Sequence, residues 1–228
     1  SLSSLALIAA FLLLPAGARS TPTEPRLALP RRAWGYLRHR PTLLAILASC
    51  LMSVPEILRT SFLPIYLGTV VALDPAWTGY VLSLFSVAGL IAKTVLPRVV
   101  ARFGRMVLLF TITTTCAATV AAIPLFHHWI AIAVITLLMG ATFGLGRPLS
   151  MAMAASSSDE GDMGMVVGLR IAGNRFADFV FPLTFGGVAA LTGIAGAFLS
   201  GAVLMVTGAA FLWRPMHEER RDSWQEDA

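Results

Sequence analysis

Besides Lys93, seven charged or amide side chains lie inside stretches of this sequence that are otherwise apolar for the length of a bilayer: Glu56, Arg59, Arg147, Arg170, Asn174, Arg175 and Asp178. A charge in such a stretch costs a few kcal/mol on insertion scales, so it faces a partner or a water-filled cavity and is a functional candidate by default. Glu56 and Arg59 are three residues apart and share a helical face, next to Pro55, which opens the backbone ladder. Arg147 is preceded by Gly140, Gly144 and Gly146 and followed by Pro148. Arg170, Asn174 and Asp178 advance by about 40° per step around a helix and form one polar stripe, with Arg175 three positions before Asp178. Such groups can bind a charged solute, exchange an ion-pair partner for a proton, or lock two packed helices together.

Each of these has a plainer reading. Glu56 and Arg59 lie about 21 to 26 Å beyond Thr42 at 1.5 Å per residue; they either line a cavity or form an intrahelical pair that only eases insertion. Arg147 lies about 27 Å into its helix and either binds solute or neutralises the acidic turn of Asp159, Glu160 and Asp162. The stripe at Arg170, Asn174 and Asp178 is a gate, a coupling relay or a static interface network. With Lys93, the spans hold five cations against two acids. That surplus needs acids from elsewhere or an anionic solute. Glu56 and Asp178 are the proton-coupling candidates, each with an arginine close enough to be exchanged for a proton.

The elements that position these groups are membrane helices. Of the 228 residues 57% are hydrophobic and 13% charged, against roughly 25% charged in soluble domains; the mean hydropathy is +0.77. A soluble globule is excluded. Apolar stretches of spanning length run from Thr42 to Tyr66, Trp77 to Pro97, Met106 to Phe126, Trp129 to Ala155, Met163 to Leu191 and Ala195 to Trp213. The expected architecture is all-α: a six-helix transmembrane bundle over residues 42–213, preceded by the end of an earlier helix (1–17) and a proline- and arginine-rich surface linker (18–41), and followed by a tail (214–228). Beginning inside an apolar run with no Met, the chain is expected to lack its upstream part.

The net charge of +5 does not mark a nucleic-acid binder, because the basic residues sort by membrane side instead of forming a stripe. Six arginines in the linker, three in the turn from Arg98 to Arg105 and three after Trp213 face loops at 67–76, 127–128 and 192 that contain no Lys or Arg. By the positive-inside rule the first set is cytoplasmic, which puts the linker and the C-terminus inside the cell membrane. Trp34 and Tyr36 suit the interface.

The turn Pro97-Arg98-Val99-Val100-Ala101-Arg102-Phe103-Gly104-Arg105-Met106 resembles the Gly-x-x-x-Asp-Arg-x-Gly-Arg-Arg signature of the major facilitator superfamily, matching at Arg102, Gly104 and Arg105. Pro97, Ala101 and Met106 depart from it, and Ala101 removes the acid of any relay through that turn. The stretches Gly140–Met153 and Gly168–Gly187 resemble helices ten and eleven of bacterial members, many of them small-molecule exporters. The resemblance implies that the chain is the C-terminal six-helix half, paired with an N-terminal half, and that it moves a small solute through the bilayer by alternating access. It implies that the first and fourth spans line the central cavity and that the fifth meets the other half.

The remaining features are bland. Cys50 and Cys116 sit in apolar runs as small core residues. Ser157 and Glu160 have capping-box spacing, and Asp162 suits a helix N-terminus. His127 and His128 lie in an outer loop with no further ligand nearby. The scattered Phe and Met residues read as packing or lipid-facing. No nucleotide or cofactor motif is present, and no metal is expected. An intramembrane enzyme would need a base or metal ligand within the spans, but His39, His127, His128 and His217 all lie outside them. A non-transporting sensor or scaffold remains the other alternative.

Overall fold

A computed structural model describes residues 40–156 and 163–226, with side chains from 42 to 154 and from 163 to 211. The chain runs as α1 (Arg40–Ile57), a π-helical turn (Leu58–Phe62), α2 (Leu63–Thr69), α3 (Pro75–Phe103), α4 (Arg105–Ala122) with a 3-10 turn (Ile123–Leu125), α5 (Trp129–Ser156), α6 (Met163–Thr192) and α7 (Ile194–Glu226). Among the described residues there is no strand. With α1, the π turn and α2 forming one rod, the chain makes six passes up and down. The remnant at 1–17, Trp34, Tyr36 and the other linker residues up to 39, and Ser157, Glu160 and Asp162 lie outside the described residues.

Five of the six rods are long and apolar enough to cross a membrane: Thr42–Thr69, Pro75–Phe103, Arg105–Leu125, Trp129–Ala154 and Ile194–Phe211. The expected fifth span, α6, is long enough at 30 residues, but its four polar positions from Arg170 to Asp178 keep it below the apolarity of the others. The expected boundaries shift in three further places. The first span is not one α-helix, because Pro64 has no N–H for the carbonyl of Thr60. The ladder widens there, with Leu63 N–H reaching the Leu58 carbonyl, five residues back, while the Thr60 hydroxyl donates to the Glu56 carbonyl at 2.8 Å. Second, α3 continues through Pro97 to Phe103, so the expected eight-residue turn shrinks to Gly104. At φ 76° and ψ 161°, Gly104 occupies a region open essentially to glycine alone. Third, the backbone of α7 stays helical past Trp213 to Glu226, in a stretch rich in the good helix formers Glu and Arg.

The rod Thr42–Thr69 is the centre of the bundle: 72% of its apolar window is buried, against 28% for α3. Packed around it, α5 touches α1, α3, α4 and α6, while α7 closes the far side against α4, α6 and α1. Gly140 and Gly144, expected from their spacing to pack closely, meet the backbone of Phe85 and Gly89 on α3. This crossing lets two backbones touch where any side chain would intervene. At the end that the charge count places outside, the exposed Trp77, Tyr80 and Trp129 pack together at 5.3 to 5.6 Å between rings, as interfacial aromatics do.

Candidate functional site

The polar residues of the spans gather into two clusters joined by aromatic rings. Near the C-terminal end of α1, Arg59 Nη2 donates to Glu56 Oε1 at 2.9 Å. The pair sits where α1 gives way to the π turn, and such single-turn π segments concentrate at functional sites. The Arg59 guanidinium also lies 4.5 Å from the centroid of the Phe85 ring on α3, and its buried Nε has no acceptor among the described residues. Phe85 packs at 5.1 Å on Phe143 of α5, and Arg147, one turn further along α5, places its guanidinium 5.3 Å from the Phe143 centroid. Two arginines thus sit at opposite ends of one aromatic pair. Each cation–π contact is worth roughly 0.5 to 2 kcal/mol, more where water is excluded.

The second cluster lines a cavity of about 640 Å³ between α3, α5 and α6, with Lys93, Arg147, Pro148, Met151, Arg170, Ile171, Asn174, Arg175 and Asp178 in its wall. Arg170 and Asn174 are only 7% and 8% exposed. Arg170 Nη2 donates to Ser150 Oγ at 2.9 Å and to the Arg147 carbonyl at 3.3 Å; its Nη1 reaches the Met151 thioether at 3.6 Å. Ser49 on α1 donates to Asn174 Oδ1 at 2.7 Å. Arg175 and Asp178 pair at 3.5 Å, with the Arg175 side chain 80% exposed.

The stripe on α6 is therefore not left on the outer face of this bundle, as an interface with a second half alone would leave it. Arg170 and Asn174 turn inward, where the Ser150 hydroxyl accepts from Arg170 and the Ser49 hydroxyl donates to Asn174. Arg175, at the rim of the cavity, is the most exposed of the stripe's charged neighbours. The sequence placed Glu56 with Arg59 and Asp178 with Arg175 correctly as i, i+3 pairs. It did not single out Phe85 or Phe143 beyond packing, nor Ser49, Ser150 and Met151. Phe143 had a signal, four residues before Arg147, but nothing in spacing links Phe85 to Arg59 or Ser49 to Asn174. The signature residues Arg98, Arg102, Gly104 and Arg105 stand where α3 ends and α4 begins, outside the cavity wall. Of these, Arg102 lies 5.8 Å from the Phe103 ring. Among the described residues no three His, Cys, Asp or Glu side chains come together as a metal site.

A bundle of long apolar helices with a charged cavity between three of them defines a polytopic membrane protein. The Major Facilitator Superfamily profile matches residues 60–227, and the chain belongs to that family of membrane transporters, which are not enzymes. No curated protein matches the chain.

Proposed function

We propose that this chain forms one six-helix half of a secondary transporter, which exports a small organic solute from the cell by alternating access and couples that movement to protons. The observation that carries the reading is the cavity of about 640 Å³, a volume suited to small organic molecules. Its ionisable wall lies among helices otherwise fit for lipid. The wide exposed apolar faces, with Val87, Leu90 and Ile91 on α3 and Phe176, Phe179 and Leu183 on α6, are read as covered by lipid and by a second half. In this reading Arg147 and Arg170 hold the solute, Asn174 ties α6 to α1, and the Glu56–Arg59 and Arg175–Asp178 pairs are the groups that exchange a salt bridge for a proton. The signature turn at Arg98, Arg102, Gly104 and Arg105 faces the cytoplasm and holds the inner ends of α3 and α4 at the headgroups, with the C-terminus on the same side of the inner membrane.

The test is solute flux in proteoliposomes made with the complete polypeptide that carries this sequence. Energised, saturable flux lost on Arg147→Gln supports the reading. No flux of any solute, from a protein that is folded and correctly inserted, gives the place to the sensor or scaffold alternative.

A further inference from the structure

The inner cavity also carries the charge class of its occupant. Four cations, Lys93, Arg147, Arg170 and Arg175, face it with one carboxylate, Asp178, and that carboxylate already lies 3.5 Å from Arg175. Among the described residues, Lys93, Arg147 and Arg170 have no acidic partner. Arg170 is the decisive one. It is 7% exposed, its acceptors are a hydroxyl, a carbonyl and a thioether, and its buried Nε has none. A buried guanidinium held only by neutral acceptors still lacks a counter-charge, and an unmet donor on a charged group is among the costlier defects a core can hold. Beside these cations, Pro148, Met151 and Ile171 supply an apolar wall.

We infer that the cavity takes a small amphipathic anion, with an oxyanion head at Arg147, Arg170 and Lys93 and an apolar body against Met151 and Ile171. The inference rests on the transporter reading only for the movement of that anion; its binding stands apart. The head is recognised as a carboxylate or phosphate-type group, because planar guanidinium forks match paired oxygens better than a single point charge does. Both arginines are already positioned, Arg147 over the Phe143 ring and Arg170 on Ser150, so little side-chain freedom is lost on binding. Such an anion is either a free solute or the headgroup of an acidic lipid.

The experiment uses the complete polypeptide in an uncharged maltoside detergent and follows its thermal unfolding midpoint. The probes are 2-naphthoate, 2-naphthyl phosphate, 2-naphthylmethanol and 2-naphthylmethylammonium, which share one apolar body. Saturable stabilisation is expected from the two anions and not from the alcohol or the ammonium ion. Lys93→Gln and Arg170→Gln should each weaken the apparent affinity for 2-naphthoate about tenfold. Lys93 is exposed, so its variant keeps the test valid if Arg170→Gln fails to fold. Short-chain phosphatidylglycerol, added against phosphatidylcholine, separates the sources: displacement of 2-naphthoate assigns the site to a lipid headgroup, and no displacement to a free solute. Equal stabilisation by all four probes, a preference for the ammonium ion, or unchanged affinity in Lys93→Gln overturns the inference and means that acids of the chain itself neutralise the cavity. Anion binding without flux would instead refute the transporter reading and leave the site standing.

Discussion

Replacing Gly140 or Gly144 by alanine should open the crossing between α3 and α5 and with it the wall of the cavity. A Cβ on Gly140 would lie 2.6 Å from Phe85 Cα, and one on Gly144 2.6 Å from Gly89 Cα. Ordinary van der Waals contact begins near 3.4 Å and the carbonyl oxygens of Phe85 and Gly89 lie nearer still, so the helices must part by about 1 Å, and the obstacle is backbone that no rotamer change removes. Overpacking of this kind costs roughly 1 to 3 kcal/mol. At about 2 to 4 °C per kcal/mol for a chain of this size, the unfolding midpoint should fall by roughly 2 to 12 °C. Function should suffer as well, since Lys93 lies one turn beyond Gly89, Arg147 lies three residues beyond Gly144, and Phe85 carries the Arg59 contact. Gly187→Ala is the matched control: nothing lies within 4 Å of its Cβ position, and alanine there gains up to about 1 kcal/mol of helix propensity. The assay is thermal unfolding of the three variants in detergent, with probe binding at the cavity. If Gly140→Ala and Gly144→Ala unfold at the wild-type temperature, the close backbone crossing does not exist and the cavity geometry built on it is wrong.

Gly104→Ala should destabilise by roughly 1 to 3 kcal/mol despite open space around it, because its φ and ψ strain any side chain; a wild-type midpoint would contradict that backbone conformation. Arg59→Gln, which strands the Glu56 carboxylate, should lower stability more than Glu56→Gln with Arg59→Gln together, as a double-mutant cycle would show; a double-variant loss equal to the sum of the two single losses would mean the pair is not coupled. Glu56→Gln and Asp178→Asn are expected to reduce flux driven by an imposed pH gradient. If both keep wild-type, pH-dependent flux, the pairs are structural and coupling lies elsewhere. Cysteines placed at 18–41 or after Trp213 should resist labelling by an impermeant reagent added to intact cells, and ready labelling would reverse the orientation.

What the sequence determined by itself was the class and course of the chain. Bilayer length and the scarcity of charge suffice to mark apolar spans, and the six passes follow because every backbone hydrogen bond in lipid must close within its own helix. Local pairs were equally legible: Glu56 with Arg59 and Arg175 with Asp178 follow from three-residue spacing, and Gly140 with Gly144 from four. Boundaries were less so. Pro97 suggested an end but sits inside α3, because a long packed helix tolerates the loss of one hydrogen bond, and the π turn at Leu58–Phe62 depends on which carbonyl Leu63 can reach. Only the tertiary structure decided the partners of the buried charges. Arg170 donates to Ser150, twenty residues away, Asn174 accepts from Ser49, 125 residues away, and Arg59 and Arg147 lie against opposite ends of the Phe85–Phe143 pair. Helical periodicity tells which residues share a face, but which face meets which neighbour depends on how the helices cross. Here that crossing is set by glycines on α3 and α5, whose missing side chains let the two backbones touch.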